Sequence, residues 1–452
     1  MDAERINMVE GHLFKKMVKL AWPVIAANLL QTMYNIIDAF WLGKLGRDAL
    51  SAPTISWPVI FTALSFAFGL SVAASSLVSQ YTGKGDEETS AFIMGQVLSI
   101  SLILSICIGT AGAVLSRPIL TVMGAKDAVL DLGDVYMKTI FLGSPTAFVL
   151  FTVGGAFRGW GNSRIGMNLT AISVLLNVVL DPLMIFGIGF PRMGVFGAAL
   201  ATVISRGVSA VYALYIIFSG VRGMKIRPKD LIPHWRYTKL IFKVSFFSSL
   251  GQSITSLGFT FVMSVVARFG AALISAFGVG NRVTSMMIMF SGGVAAAVAT
   301  AVGQALGAGK EDRAVRAIKM GAWFNFVIIG GLCVLTFFYG RYVTAVFIND
   351  PEVVEIGKIY FKLVSFSIPF FAAMQALMAA LDGSGHTFQS AVVNIARLWG
   401  VRIPLVYLLT NLYGFTGIFY AMIASNIAAL ILAIIALSIG TWKKPIINVE
   451  GR

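Results

Sequence analysis

Displaced by 224 residues, the chain lies on itself: Lys19, Gly46, Gln80, Gly83, Gly85, Arg117, Gly133, Tyr136, Lys138, Pro145, Gly159 and Gly161 fall on Lys243, Gly270, Gln304, Gly307, Gly309, Arg341, Gly357, Tyr360, Lys362, Pro369, Gly383 and Gly385. The register holds without a gap over roughly the first two thirds of each half, which chance similarity between apolar stretches does not explain. The chain is a tandem duplication, and both copies must fold with the same order of elements.

Those elements are membrane spans. The sequence is 57% hydrophobic and 12% charged, with a mean hydropathy of +0.84, outside the range of a water-soluble domain. Apolar segments run over about 14–43, 52–82, 89–115, 129–156, 163–187 and 194–220, then 237–267, 273–306, 313–339, 352–381, 387–411 and 415–441. Each exceeds the roughly 20 residues that cross the hydrocarbon core. The expected fold is an all-α integral membrane protein of about twelve transmembrane helices in two pseudo-symmetric six-helix lobes. The N-lobe covers 1–220, a cytoplasmic linker 221–236 and the C-lobe 237–452. An even number of spans per half keeps both copies in one orientation, with both termini on the same side.

Lys and Arg choose the side. Lys15, Lys16 and Lys19, the loops expected to hold Lys84, Arg158 and Arg164, the linker with Arg222, Lys225, Arg227, Lys229, Arg236 and Lys239, the turn with Lys310, Arg313, Arg316 and Lys319, and the tail's Lys443 and Lys444 share one face. That face is read as cytoplasmic, so the net charge of +15 reflects topology and argues against a nucleic-acid partner. The first apolar run lacks a small-residue cleavage site and is expected to stay as the first span, and the short loops suggest a prokaryotic inner (plasma) membrane. Cys107 and Cys333 read as free, buried thiols, and His12, His234 and His386 have no metal-ligand spacing. Gly307-Ala308-Gly309-Lys310 is not a phosphate loop, because Glu311 stands where Ser or Thr would hold magnesium; with Gly83-Lys84-Gly85 it reads as a repeated tight turn. No cofactor and no enzymatic activity are expected, and any transport would run on an ion gradient. An intramembrane aspartyl protease is disfavoured, since Gly133-Asp134 lacks the preceding glycine its motif needs.

The halves differ where chemistry is expected. Asp38 lies inside the first span and Asp181 inside the fifth, whereas the repeat places Val262 and Leu405 at the matching points. An ionised Asp at mid-bilayer costs about 3 kcal/mol or more, so it needs partners or a wet cavity. Gln31, Tyr34, Asn35 and Asp38 fall on one helix face, and Thr170, Ser173, Asn177 and Asp181 on another, where Pro182 frees the carbonyl of Val178. Such oxygens suit a hard cation or a proton relay; the alternative is that they only pair between helices. Pro23 is expected to kink or unwind the first span, as a static bend or as a moving one. Gly194, Gly197, Ala198, Ala201, Thr202, Ser205 and Ser209 form a small-residue face from which Thr202 offers an oxygen inward. Met286, Met287, Met289, Phe290 and Met374, with Met378, Phe366, Phe370 and Phe371, would make a deformable substrate wall if they face a cavity.

Trp22-Pro23, Gln31-Thr32-Met33-Tyr34-Asn35-Ile36-Ile37-Asp38, Arg158-Gly159-x-Gly161-Asn162, Asn177-x-x-x-Asp181-Pro182 and Gly194-x-x-Gly197-Ala198-Ala199-x-Ala201-Thr202 together resemble the multidrug and toxic compound extrusion (MATE) family, over essentially the whole chain. The resemblance implies two six-helix lobes around a V-shaped central cavity, alternating access, and export of organic cations and other amphipathic compounds against H+ or Na+, by a monomer. It implies that Asp38, Asn177, Asp181 and Thr202 form the coupling site, including for Na+ if that is the ion. Gln31, Tyr34, Asn35 and Ser173 would be its neighbours and Pro23 the first-helix bend. The seventh span, from Ser248 to Val262, has no acid. The chain is therefore more similar to the DinF-like and archaeal type than to the NorM-like branch with C-lobe acids. A flippase for lipid-linked saccharides, from a related superfamily, is the alternative, with Arg282 and Arg402 as its basic cavity residues. Exchange of one proton for one monovalent cation would draw only on the pH difference, and a second proton would add the membrane potential.

Overall fold

The structure, a computed structural model, describes residues 5–189 and 191–448. It is all helix, with no strand among the described residues. The first half contains α1 (Leu13–Leu45), α2 (Arg47–Lys84), α3 (Glu87–Val122), α4 (Asp127–Leu142), α5 (Ser144–Trp160), α6 (Ser163–Phe186) and α7 (Gly194–Ser219). The second contains α8 (Trp235–Ala267), α9 (Ala271–Gly307), α10 (Glu311–Phe347), α11 (Pro351–Val364), α12 (Ile368–Gly383), α13 (Thr387–Ile395), a π-helical segment (Ala396–Arg402), α14 (Ile403–Tyr413) and α15 (Thr416–Ser438). Every expected span is helical.

Among the described residues, three spans are broken or change helix type. The fourth of each half is a broken pair: α4 and α5 meet at 47° and α11 and α12 at 50°. Pro145 and Pro369, matched by the repeat, stand in the first turn of α5 and of α12. A proline there has no N–H to continue the preceding helix but fits the start of a new one, so one residue type breaks both spans. The third is the eleventh span, where α13 widens into the π segment just before Pro404 in the first turn of α14. Among the described residues, nine helices, or eleven spans once the bent pairs are joined, are by length and composition apolar enough to cross a membrane. The remaining one, α1, has 33 residues and falls short only in apolarity, because it carries Gln31, Asn35 and Asp38. It runs unbroken through Pro23, so the expected unwinding is not present; one missing N–H leaves the rest of the helical ladder intact.

The chain divides into two compact units. One takes the described residues up to Asn7 and Pro23–Ser249; the other takes Met8–Trp22 and the chain from Leu250 onward. The boundaries therefore fall between Asn7 and Met8, ahead of α1, and inside α1 and α8, rather than in the linker.

Within each unit the repeat sets the same close contact. A Cβ on Gly159 of α5 would stand 2.3 Å from the Ser75 carbonyl oxygen of α2, and one on Gly383 of α12 would stand 2.2 Å from that of Ala299 on α9. Ser75 and Ala299 are themselves related by the repeat. Only glycine lets these helices approach so closely. The turns after α2 and α9 are also alike: Gly85 and Gly309 have φ of +82° and +69°, the left-handed conformation glycine adopts at no steric cost. In the second unit the buried Tyr360 ring meets Phe277, Phe361 and Phe419 edge-on, with centroids at 5.9, 5.4 and 5.3 Å. Its repeat mate Tyr136 is buried in the core of the first.

Lys84 and Arg158 sit in the last turns of α2 and α5, not in loops; a basic side chain there opposes the helix dipole. Cys333 is buried but Cys107 is exposed, on the face of α3 that also presents Ile103, Ile106 and Val114. An exposed apolar face of this extent suits lipid, which explains the exposed thiol.

The linker is latched to the first unit. Gln96 Nε2 on α3 donates to the carbonyls of Asp230 and Ile232, both at 2.7 Å, and its Oε1 accepts from the His234 N–H at 2.7 Å. Gln96→Ala is expected to cost about 2 kcal/mol and to speed tryptic cleavage after Lys225 or Lys229 several-fold, read by limited proteolysis. An unchanged cleavage rate contradicts the latch.

Candidate functional site

In the first unit, α1, α6 and α7 bring most of the polar stripe residues together. Tyr34 Oη and Thr202 Oγ1 are 2.8 Å apart, and Thr202 also donates to the Ala198 carbonyl at 3.1 Å. A hydroxyl has one proton, so with Thr202's spent on Ala198 the phenol is the donor. On α6, Asn177 Nδ2 donates to Asp181 Oδ1 at 2.9 Å, across one turn. Asn177, Asp181 and Thr202 are buried, Asp181 completely.

The remaining acceptors are unmatched. Asp38 Oδ1, Asn177 Oδ1 and Asp181 Oδ2 are buried side-chain oxygens without a hydrogen-bond partner. Gln31, Tyr34, Ser173, Val174, Asn177, Thr202 and Arg206 line a small cleft of about 10 Å³, room for about one water or one small cation. The carboxylates lie one helical turn beyond it, Asp38 after Tyr34 and Asp181 after Asn177.

Arg206 was not among the residues expected here. It lies one turn beyond Thr202 on α7, lines the cleft and forms no ion pair with either carboxylate, yet its charge acts on Asp38 and Tyr34. The signal was in the sequence: a basic residue near the middle of an apolar span draws the same attention as an acidic one. With both aspartates ionised and Arg206 protonated, the three side chains carry a formal charge of −1, which one proton or one monovalent cation neutralises.

Other expected residues lie elsewhere. Asn35 is on the exposed side of α1, away from the cleft. Met287 and Met374 are buried in the core of the second unit, Met287 with its sulfur 4.0 Å from Cys333 Sγ, so they are core side chains rather than a wall. Met286 and Phe290 are exposed and Met289 half-buried, because successive residues of α9 point to different sides of the helix. Arg282 is exposed, whereas Arg402 is buried.

The MatE family model matches residues 23–183 and again 248–408, one copy in each half. The chain belongs to the MatE family. Among MatE relatives, the Probable multidrug resistance protein YpnP of Bacillus subtilis (strain 168) is 28% identical over 440 residues, 97% of each chain. The Probable multidrug resistance protein NorM of Thermotoga maritima is 26% identical, over 95% of this chain and 93% of its own. A solved structure described as the outward-facing conformation of a multidrug resistance MATE family transporter of the MOP superfamily aligns with a TM-score of 0.90 and 24% identity, over 98% of this chain and 100% of that one. The fold of the MatE chain is therefore that of the solved MATE transporters.

Proposed function

We propose that this membrane protein is a secondary active multidrug exporter, which moves cationic or amphipathic small molecules out of the cell in exchange for H+ or Na+ by alternating access. It would work in the plasma membrane with both termini cytoplasmic. The observation that carries the proposal is the set of three buried oxygens without donors, on Asp38, Asn177 and Asp181. Unpaired acceptors at membrane depth are costly unless a cation or proton joins them. Relatives named as multidrug resistance proteins support the substrate class.

In this reading Asp38 and Asp181 take the ion from outside, with Asn177 and Thr202 completing an oxygen-only set and Tyr34 tying α1 to α7. Neutralising the carboxylates alters how α1 sits on α6 and α7 and expels the substrate; release of the ion inside resets the cycle. Oxygen ligands fit Na+ and carboxylates fit H+, so the residue types suit either ion.

Arg206 sets the stoichiometry. A cluster of charge −1 takes one cation, and exchange of one H+ or Na+ for a monovalent organic cation moves no net charge. In proteoliposomes one pH unit, about 1.4 kcal/mol, or a tenfold sodium gradient is expected to accelerate export of a fluorescent organic cation, while a potassium–valinomycin potential alone leaves its rate unchanged. Acceleration by the potential alone contradicts one-for-one exchange.

A further inference from the structure

We infer that the second unit contains a binding site for an oxyanion, the phosphate or carboxylate of an aromatic amphiphile, built on Arg397 and Arg402. This goes beyond the proposed export function and does not depend on it, since binding is measured without a gradient.

The two arginines flank Gly400, the midpoint of the span Thr387–Tyr413. A guanidinium at that depth costs about 3 kcal/mol on insertion scales, so it is kept in place by whatever it binds. Arg402 is satisfied by neutral atoms only: Nε donates to Ser425 Oγ at 2.8 Å and Nη2 to Asn426 Oδ1 at 2.7 Å, while Asn426 Nδ2 donates to Ser367 Oγ at 3.1 Å. Arg397 is 6% exposed, its Nε has no hydrogen-bond partner, and its guanidinium lies over the Phe371 ring at 4.8 Å. Gln375 Oε1, one turn further along α12 from Phe371, is another buried polar atom without a partner.

Among the described residues no carboxylate answers this charge. The acidic residues of the second unit's helices lie in the first turns of α10 and α11, at Glu355 beside them, or at Asp382. Asp382 is hydrogen-bonded by Ser390 and stands eleven residues beyond Phe371 on α12, about 16 Å along the helix axis.

The backbone aims both arginines at one place. Residues five apart on an α-helix diverge by about 140°, but a turn with i→i+5 hydrogen bonding carries them back toward one side. Arg397 reaches Phe371, and Arg402 reaches Ser367 through Asn426; Ser367 and Phe371 bracket the first turn of α12, joined by the bond from Phe371 N–H to the Ser367 carbonyl at 3.2 Å. The positive end of the α12 dipole thus adds to two guanidiniums whose planar forks match a phosphate or carboxylate. The Phe371 ring favours an aromatic body.

The test is equilibrium binding of 1-naphthyl phosphate and of 1-naphthol to the purified full-length protein in nanodiscs of phosphatidylcholine. The phosphate is expected to bind at least about tenfold more tightly. Arg397→Gln should remove that preference while keeping naphthol binding and thermal stability, and Arg397→Lys should restore part of it. Equal affinities in the wild type, no binding of the phosphate, or a preference unchanged in Arg397→Gln overturns the inference. Repeating the titration with phosphatidylglycerol in the discs separates the sources: a preference that persists assigns the site to a soluble ligand, and one that disappears only there assigns it to an anionic lipid headgroup.

Discussion

Asp181→Asn is expected to bring gradient-driven export down to the leak rate and to weaken equilibrium binding of substrate, because it fixes one carboxylate position in its neutral form, while leaving the fold intact. The substitution keeps shape and volume, and an amide oxygen can still accept from Asn177 Nδ2, the one hydrogen bond the carboxylate makes. What disappears is the negative charge and the acceptor at Oδ2, which has no protein partner. Removing an unpaired buried charge breaks no ion pair, so thermal stability should stay within about 1 kcal/mol of the wild type or rise. Asp38→Asn should behave in the same way. A folded Asp181→Asn protein that exports at the wild-type rate under a gradient removes Asp181 from the coupling site.

The largest effect on stability is expected at Gly159. Alanine there places a Cβ 2.3 Å from the backbone oxygen of Ser75, and backbone on a packed helix cannot step aside as a flexible side chain can. The α2 and α5 helices must separate, at about 2–3 kcal/mol, the usual range for overpacking. Gly383→Ala should cost a similar amount, because the second unit repeats the contact against Ala299. Gly331→Ala makes the comparison sharp: that helical glycine has nothing within 4 Å of its missing Cβ, so alanine should stabilise α10 by up to about 1 kcal/mol. Thermal unfolding of the three variants checks the sign of each. A Gly159→Ala protein as stable as Gly331→Ala would contradict the assigned helix contact.

These glycines also show why much of the fold was legible in the sequence. The duplication marked Gly159 and Gly383 as equivalent before any contact was known, and the two contacts are equivalent in space. Apolar length placed all twelve helical segments, since crossing a bilayer leaves few alternatives. The breaks at Pro145 and Pro369 were less legible: the repeat flagged both prolines, but whether a proline bends a helix or starts a new one depends on packing that sequence does not carry. Pro23 starts no new helix, since α1 runs on through it.

The site was legible where residues were both polar and regularly spaced. The Asn177–Asp181 and Tyr34–Thr202 pairs follow from helical periodicity and the resemblance, but Asn35 shares the stripe's spacing and still faces outward, because a stripe is wider than the cleft it borders. Arg206 carried the same signal as the two aspartates, a charge near the middle of an apolar span, and among the methionines volume and softness do not distinguish buried positions such as Met287 and Met374 from exposed ones such as Met286. The π segment left no sequence signal beyond Pro404, so the convergence of Arg397 and Arg402 emerges only from the structure.

Ion-coupled export is read most directly from the ion itself. Proteoliposomes carrying a preformed pH gradient, and separately a sodium gradient, are given an organic cation on the side from which it is transported, while internal pH or sodium is followed. The cation is expected to discharge one of the two gradients in the wild type and neither in Asp38→Asn or Asp181→Asn. Transport of the cation with both gradients undisturbed in the wild type would contradict ion-coupled export.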